Sequence, residues 1–212
     1  TEDVAYTYTV TAADVDSGET LTMTGTTVPG WATFTASTGV LAGTPLNADV
    51  GANSVVITVS DGNGGSVTDS FTITVANTND APTISSTAVL TATEDVAYTY
   101  TVTAADVDSG DTLTMTGTTV PGWATFTAST GVLAGTPLNA DVGANSVVIT
   151  VSDGTASVTD SFTITVANAN DAPTITSTAV LTATEDAAYT YTVTAADDDS
   201  DALTMTGTTV PG

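Results

Sequence analysis

Apolar and polar residues alternate along this chain with a period of two. In Val96-Ala97-Tyr98-Thr99-Tyr100-Thr101-Val102-Thr103-Ala104 the residues Val96, Tyr98, Tyr100 and Val102 share one face, and Thr99, Thr101 and Thr103 the other. Phe162-Thr163-Ile164-Thr165-Val166 repeats the alternation, and Val147-Val148-Ile149-Thr150-Val151 reads as a more buried strand. Leu113-Thr114-Met115 reads as another. β-Branched residues fill these runs and glycines punctuate them, the signature of strands and turns. No stretch carries a helical stripe. One buried and one wet face per strand predicts an all-β protein of two antiparallel sheets packed face to face. Trp123 and Phe126 are the expected aromatic anchors of the core, with Leu133, set between Gly131 and Gly135, as a plug.

The pattern is itself repeated. TEDVAYTYTVTAADVDSG begins at Thr1 and again at Thr93, and a close variant begins at Thr184, offsets of 92 and 91 residues. The lost residue falls in a turn, where Asp61-Gly62-Asn63-Gly64-Gly65-Ser66 becomes Asp153-Gly154-Thr155-Ala156-Ser157. Self-similarity at this period means tandem domains. The polar stretches ending in Pro82 and Pro173 read as linkers. They divide the chain into 1–80, a repeat lacking its first strand; 81–171, a complete repeat; and 172–212, the first part of a third. Ile84 and Val89 lie in the opening strand whose counterpart is expected to be missing before Thr1. The third copy stops after Pro211-Gly212, where the earlier copies continue into Trp31 and Trp123.

Composition narrows the chemistry. The 212 residues include 24 acidic ones and no Lys, Arg, His or Cys, for a net charge of −24. Nothing can neutralise phosphates, so nucleic acid is not expected as a partner. The commonest general base and the thiolate are both missing, and paired carboxylates duplicated at turns do not resemble the cleft of a glycosidase. No enzyme is expected. Hydrophobic residues are 41% of the chain, too many for a solvated acidic tail, and no apolar run is long enough for a membrane span. With no internal counter-charge, dissolved cations are the expected partners.

The acidic residues gather at strand ends and linkers. Asp106 and Asp108 lie two apart at the end of a strand, so alternation puts both on one side. Asp153 opens a Gly turn, where an ordinary turn-forming Asp is the competing explanation. Asn79 and Asp80 lie in a linker. Calcium takes 6–8 oxygen ligands, and oxygen ligands are all this chain offers. An EF-hand loop with its Gly at position six and Glu at twelve is not present.

Several blocks in order carry a family resemblance. They are Thr93-Glu94-Asp95 before the Tyr98-Thr99-Tyr100 strand, Ala105-Asp106-Val107-Asp108, Pro121-Gly122-Trp123-Ala124-Thr125-Phe126, Thr130-Gly131-Val132-Leu133-Ala134-Gly135-Thr136-Pro137, Val151-Ser152-Asp153-Gly154, and the Asn-x-Asn-Asp-Ala-Pro linker. Together they resemble the bacterial cadherin-like repeats, dystroglycan-type and "putative Ig", of large surface proteins. The resemblance implies seven-stranded Greek-key β-sandwiches of cadherin/Ig-like type, stacked head to tail, with Ca²⁺ at the joints. Carried over by position, it assigns Glu2, Asn77, Asn79, Asp80, Asp106, Asp108 and Asp153 to one joint. It assigns Glu94, Asn168, Asn170, Asp171, Asp197 and Asp199 to the next. Two departures reduce the implied charge: Asn77 and Asn168 stand where animal cadherin linkers open with Asp, and the Leu-Asp-Arg-Glu motif is absent. One or two ions per joint are then expected rather than three. Asp198, found only in the third copy, is either a further ligand or a solvated charge. Asp69, Asp160, Glu19, Asp111, Asp49 and Asp141 read as exposed strand or loop charges.

The expected function is a calcium-stiffened rod or spacer in an extracellular filament or adhesin stalk, at the cell surface, with neighbouring repeats as partners. Near-identical copies suit a spacer, in which nothing has been specialised. The alternatives are a multivalent glycan- or surface-binding module and a fibre subunit that assembles by strand complementation. A hydroxyl row such as Thr99, Thr101 and Thr103 also suggests ice binding, although Thr is simply a favoured outward strand residue.

Overall fold

The alternation becomes a pair of sheets in each of the first two copies. The structure, a computed structural model, describes residues 1–16 and 18–207; the Pro211-Gly212 end of the third copy lies outside them. The chain falls into two compact units, Thr1–Ala81 with Asp106–Asp111, and Pro82–Ala105 with Thr112–Gly212. Among the described residues there is no α-helix, only strands and two 3₁₀ turns at Asn47–Asp49 and Asn139–Asp141.

The first unit holds β1 (Tyr6–Thr9), β2 (Thr22–Thr27), β3 (Ala32–Thr35), β4 (Val40–Gly43), β5 (Gly51–Ser60) and β6 (Ser66–Val75). They form two three-stranded sheets, β1-β4-β3 and β2-β5-β6. The second unit holds β7 (Thr83–Ile84), β8 (Thr91–Thr93), β9 (Tyr98–Thr101), β10 (Ala104–Ala105), β11 (Thr114–Thr119), β12 (Ala124–Thr127), β13 (Val132–Gly135), β14 (Gly143–Ser152) and β15 (Ser157–Ala167). Its sheets are β11-β14-β15-β8 and β12-β13-β9, with β7 paired to β10. In the third copy, β16 (Thr174–Ile175) pairs with β17 (Ala195–Ala196). Hairpins β3–β4 and β5–β6, and likewise β12–β13 and β14–β15, stay within one sheet, while β1–β2, β2–β3 and β4–β5 and their counterparts cross from one sheet to the other, the crossing-over of a Greek-key sandwich.

The core of the second unit lies between its sheets. Tyr98, Tyr100 and Leu133 meet Val147, Ile149, Val151, Ile164 and Val166 from the facing sheet. Leu133 is fully buried, and Trp123 and Phe126 are partly buried against the same cluster. Edge-to-face aromatic pairs, Tyr98 with Trp123 and Tyr100 with Phe162, fill its flanks. Gly131 is required at its turn. Its φ is +68°, and a Cβ there would lie 2.5 Å from the Val102 carbonyl oxygen.

Three sequence expectations need correction. Val96 is exposed rather than core: it follows Asp95, whose φ of +57° makes a turn, and the alternation starts only at β9. The sheets are not purely antiparallel, because β8 runs parallel to β15. The opening segment first pairs with β10 and then changes sheets, which turns its second half parallel to the last strand. Asp69 and Asp160 are half-buried, and accept the hydroxyls of Tyr8 and Tyr100.

Candidate metal centre

Each Thr-Glu-Asp block is built as a turn that drives its Glu inward. In the second unit the Glu94 N–H donates to the Ala167 carbonyl and the Asp95 N–H to the Pro137 carbonyl. Asp95 occupies the left-handed region, which Asp tolerates better than most residues. In the first unit Glu2 and Asp3 bond in the same way to Ala76 and Pro45, with Asp3 at φ +56°. Both glutamates end with no exposed surface.

Around Glu94 the second unit gathers carboxylates. Glu94 Oε1 accepts the Ala169 N–H at 2.6 Å, while its Oε2 is buried with no hydrogen-bond partner. Carboxylate oxygens of Glu94, Asp171 and Asp199 lie within 4.8 Å of one another. Asp199 Oδ2 accepts the Asp171 N–H, and Asp197 Oδ1 accepts the Asp199 N–H. Asn170 folds its amide onto the Asp171 carbonyl. Asp197, Asp199 and Asp201 form an overlapping acidic group. Desolvation first, and then the charges of Asp95, Asp199, Glu94 and Asp198, push the Asp171 carboxyl above its ordinary value.

The first unit repeats the arrangement with Glu2, Asp80 and Asp108. Glu2 Oε1 accepts the Thr78 N–H at 2.6 Å, and Glu2 Oε2 is again buried and unpartnered. Asp108, only 5% exposed, accepts the Asp80 N–H through Oδ2 at 2.7 Å. Its own N–H donates to Asp106 Oδ1, and Asp106 Oδ2 is a third buried oxygen without a partner. Asn79 bonds the Asp80 carbonyl. Asn77 and Asn168 are exposed on the linkers. Asp153 holds its own turn in the second unit, its Oδ1 accepting the Thr155 and Ala156 N–H groups.

Two features escaped the sequence. Within the first unit Asp14, Glu19 and Asp61 bring carboxylate oxygens within 4.8 Å of one another. Their counterparts by the 92-residue offset are Asp106, Asp111 and Asp153. The offset and the equivalence of Asp61 to Asp153 were the signal that could have found this group. The second feature is a pair of asparagines on the 3₁₀ turns. Asn47 Nδ2 donates to Asp80 Oδ2 at 2.9 Å and to Asp108 Oδ1 at 3.1 Å, and Asn139 Nδ2 donates to Asp199 Oδ1 at 3.1 Å. These turns are tied to the core. Trp123 Nε1 donates to Asn145 Oδ1, and Asn145 Nδ2 donates to the Asp141 carbonyl; Trp31 and Asn53 do the same for Asp49. Asp49 and Asp141, read as loop charges, close the turns by accepting the Leu46 and Leu138 N–H groups.

A buried carboxylate oxygen with no donor is costly unless a cation meets it. The chain has no side-chain cation to supply. The donor set of carboxylates, amide and backbone oxygens fits a hard divalent ion.

No curated protein matches the chain. Among solved structures it is similar in fold to mouse cadherin-23 EC22-24, at 17% identity over 80% of this chain and 62% of that one, with a TM-score of 0.50. Human protocadherin-24 EC1-2 gives 17% identity over 74% of this chain and 86% of its own, with a TM-score of 0.46. An endo-fucoidan hydrolase from glycoside hydrolase family 107 is 33% identical over 79% of this chain, with a TM-score of 0.38, and this chain spans only 27% of its length. Residues 1–76 and 81–167 each match one family, and the chain belongs to it: the family described as "Putative Ig domain".

Proposed function

We propose that this chain is a run of calcium-binding structural repeats, a rod or spacer segment of an extracellular filament or adhesin stalk. The cadherin/Ig-like sandwich fold supports a structural or adhesion-type module, and no helix among the described residues is long and apolar enough to cross a membrane. The repeats are 1–80, 81–171 and 172–212, and their partners are calcium ions and neighbouring repeats.

One observation carries the calcium reading: Glu2 and Glu94 each bury an oxygen with no donor in a chain of net charge −24 without Lys, Arg or His. A divalent cation would supply the missing counter-charge and bind the linker to the domain ends. Glu2, Asp80, Asp106 and Asp108 would hold it in one place, and Glu94, Asp171, Asp197 and Asp199 in the other. Asn79 and Asn170 would shape the linker by bonding its carbonyls, Asn77 and Asn168 would offer amide oxygens from outside, and Asp153 would contribute from its turn. Each ion would restrict the linker and lengthen the particle's persistence.

The test is a thermal melt and small-angle scattering of the chain in millimolar CaCl₂ and in EDTA. Calcium should raise the melting temperature and give a longer, stiffer particle. Equal melting and equal scattering in both would end this reading.

A second reading, strand complementation, is favoured by the first unit alone. A groove of about 410 Å³ runs along Tyr8–Ala13 and Val67–Asp69, beside the free edge of β6. In the second unit the segment containing β7 and β8 covers the equivalent residues. The groove would take a strand of that sequence, residues 82–93, from another chain.

A further inference from the structure

We infer that Asn47 and Asn139 are built-in stand-ins for the cation: their amides occupy the carboxylates when no ion is bound and turn over to become oxygen ligands when one is. The inference rests on the calcium reading above and concerns residues that reading does not use.

Each of these asparagines does what a basic residue would do in another protein. Asn47 Nδ2 bridges Asp80 and Asp108, the two carboxylates that the linker and the strand end bring together. Asn139 Nδ2 reaches Asp199, beside Asp171 and the unpartnered oxygen of Glu94. Like charges so close repel, and an amide N–H₂ is the strongest side-chain donor set that the residues around them supply. The amide is well placed for the purpose. Both asparagines begin a 3₁₀ turn, and the Trp–Asn bonds described above hold that turn to the core.

A primary amide has two faces. A half-turn about its terminal bond exchanges two donors for an acceptor with two lone pairs. Once a cation satisfies the carboxylates, the N–H₂ group would point a positive dipole at a positive ion, and the carbonyl oxygen is the favoured face. An amide carbonyl is an ordinary calcium ligand. The same side chain therefore serves both states, which a Lys could not do. The amide keeps the calcium-free carboxylates assembled and supplies one more oxygen to the loaded site.

The test measures calcium binding by titration calorimetry, and melting with and without calcium, for the full chain and two paired variants. Asn47→Ala with Asn139→Ala should weaken the calcium Kd about tenfold, a loss of ~1.4 kcal/mol of binding, and lower the calcium-free melting temperature. Asn47→Asp with Asn139→Asp should bind at least as tightly as the parent yet melt lower than it without calcium, because a donor has become a like charge. In the parent protein, the side-chain N–H₂ signals of these two asparagines should move on adding calcium. If both variants keep the parent's Kd and lose equal stability in the two conditions, the asparagines only pin their turns and the inference fails while the calcium reading stands. Unmoved N–H₂ signals in a parent that binds calcium would overturn it equally. A parent that binds no calcium would overturn both.

Discussion

The first two copies carry nearly the same sequence and differ in the opening segment, residues 82–93, which only the second has and which supplies β7 and β8. The central strand is buried alike in both: Ile57 and Ile149 have no exposed surface. The flank is not. Tyr100 is 4% exposed and Tyr8 36%, and Ile164 is fully buried while its counterpart Ile73 is only half-buried. The difference traces to residues 82–93, which belong to the second unit. There the Ser86 hydroxyl meets Tyr100, the Val89 carbonyl accepts the Tyr98 hydroxyl, and the Leu90 carbonyl accepts the Thr165 N–H. A sandwich core is therefore built by its central strands but sealed by its first one. The third copy repeats two of these hydrogen bonds, Ser177 with Tyr191 and the Tyr189 hydroxyl to the Val180 carbonyl, yet Tyr189 stays 51% exposed.

Opening each core from the middle should separate the two units. Leu41 and Leu133 are equivalent and fully buried. Removing such a side chain costs about 2–5 kcal/mol. Scanning calorimetry should resolve two transitions for the parent chain, with the first unit melting lower. Leu41→Ala should lower only the earlier transition and Leu133→Ala only the later one. A single transition moved equally by both would mean that residues 82–93 do not set the difference.

Supplying the strand should close the gap. A synthetic peptide of residues 82–93 added in excess should raise the earlier transition and leave the later one in place. Ligand at 100 times its Kd stabilises by about 2.7 kcal/mol, so the shift should fall at the lower end of the Leu41→Ala effect and rise with the logarithm of peptide concentration. No shift at any concentration would remove the groove as a strand acceptor, and with it the complementation reading.

Much of this architecture was legible in sequence, for identifiable reasons. A period of two marks every strand whose inner face is apolar, so Tyr98, Tyr100, Val102, Ile149 and Ile164 could be placed in the core directly. β8 was not legible, because Thr91-Ala92-Thr93 has no strong apolar face and its parallel pairing depends on where β15 ends. Val96 was misread because a pattern does not show a left-handed Asp. The acidic residues Glu94, Asp171 and Asp199 come from three separate stretches, and the family resemblance was what grouped them before the structure did. Asn47 and Asn139 had no such aid. Asn-Ala-Asp reads as a turn, and only the folded Trp–Asn–backbone connection shows which way the first Asn faces.

The smallest expected effect tests whether the seal changes the chemistry of a side chain as well as its exposure. Tyr8 and Tyr100 each donate to a carboxylate, Asp69 and Asp160, and both phenols titrate above the ordinary Tyr value. The leading causes differ. For Tyr8 it is the hydrogen bond to Asp69; for Tyr100 it is burial. Ultraviolet titration should therefore show Asp69→Asn returning Tyr8 toward its ordinary value, while Asp160→Asn leaves Tyr100 raised. Tyr98, pushed up to about 12 chiefly by burial, fixes the window for stability. A phenol whose folded pKa is raised favours the folded state fully below the unfolded value of 10.0, and that contribution is lost as pH climbs through about 12. The second unit should accordingly lose stability across that interval. If Asp160→Asn instead released Tyr100 as fully as Asp69→Asn releases Tyr8, the opening strand would not be excluding water from the second core, and the contrast between the units would be one of surface area alone.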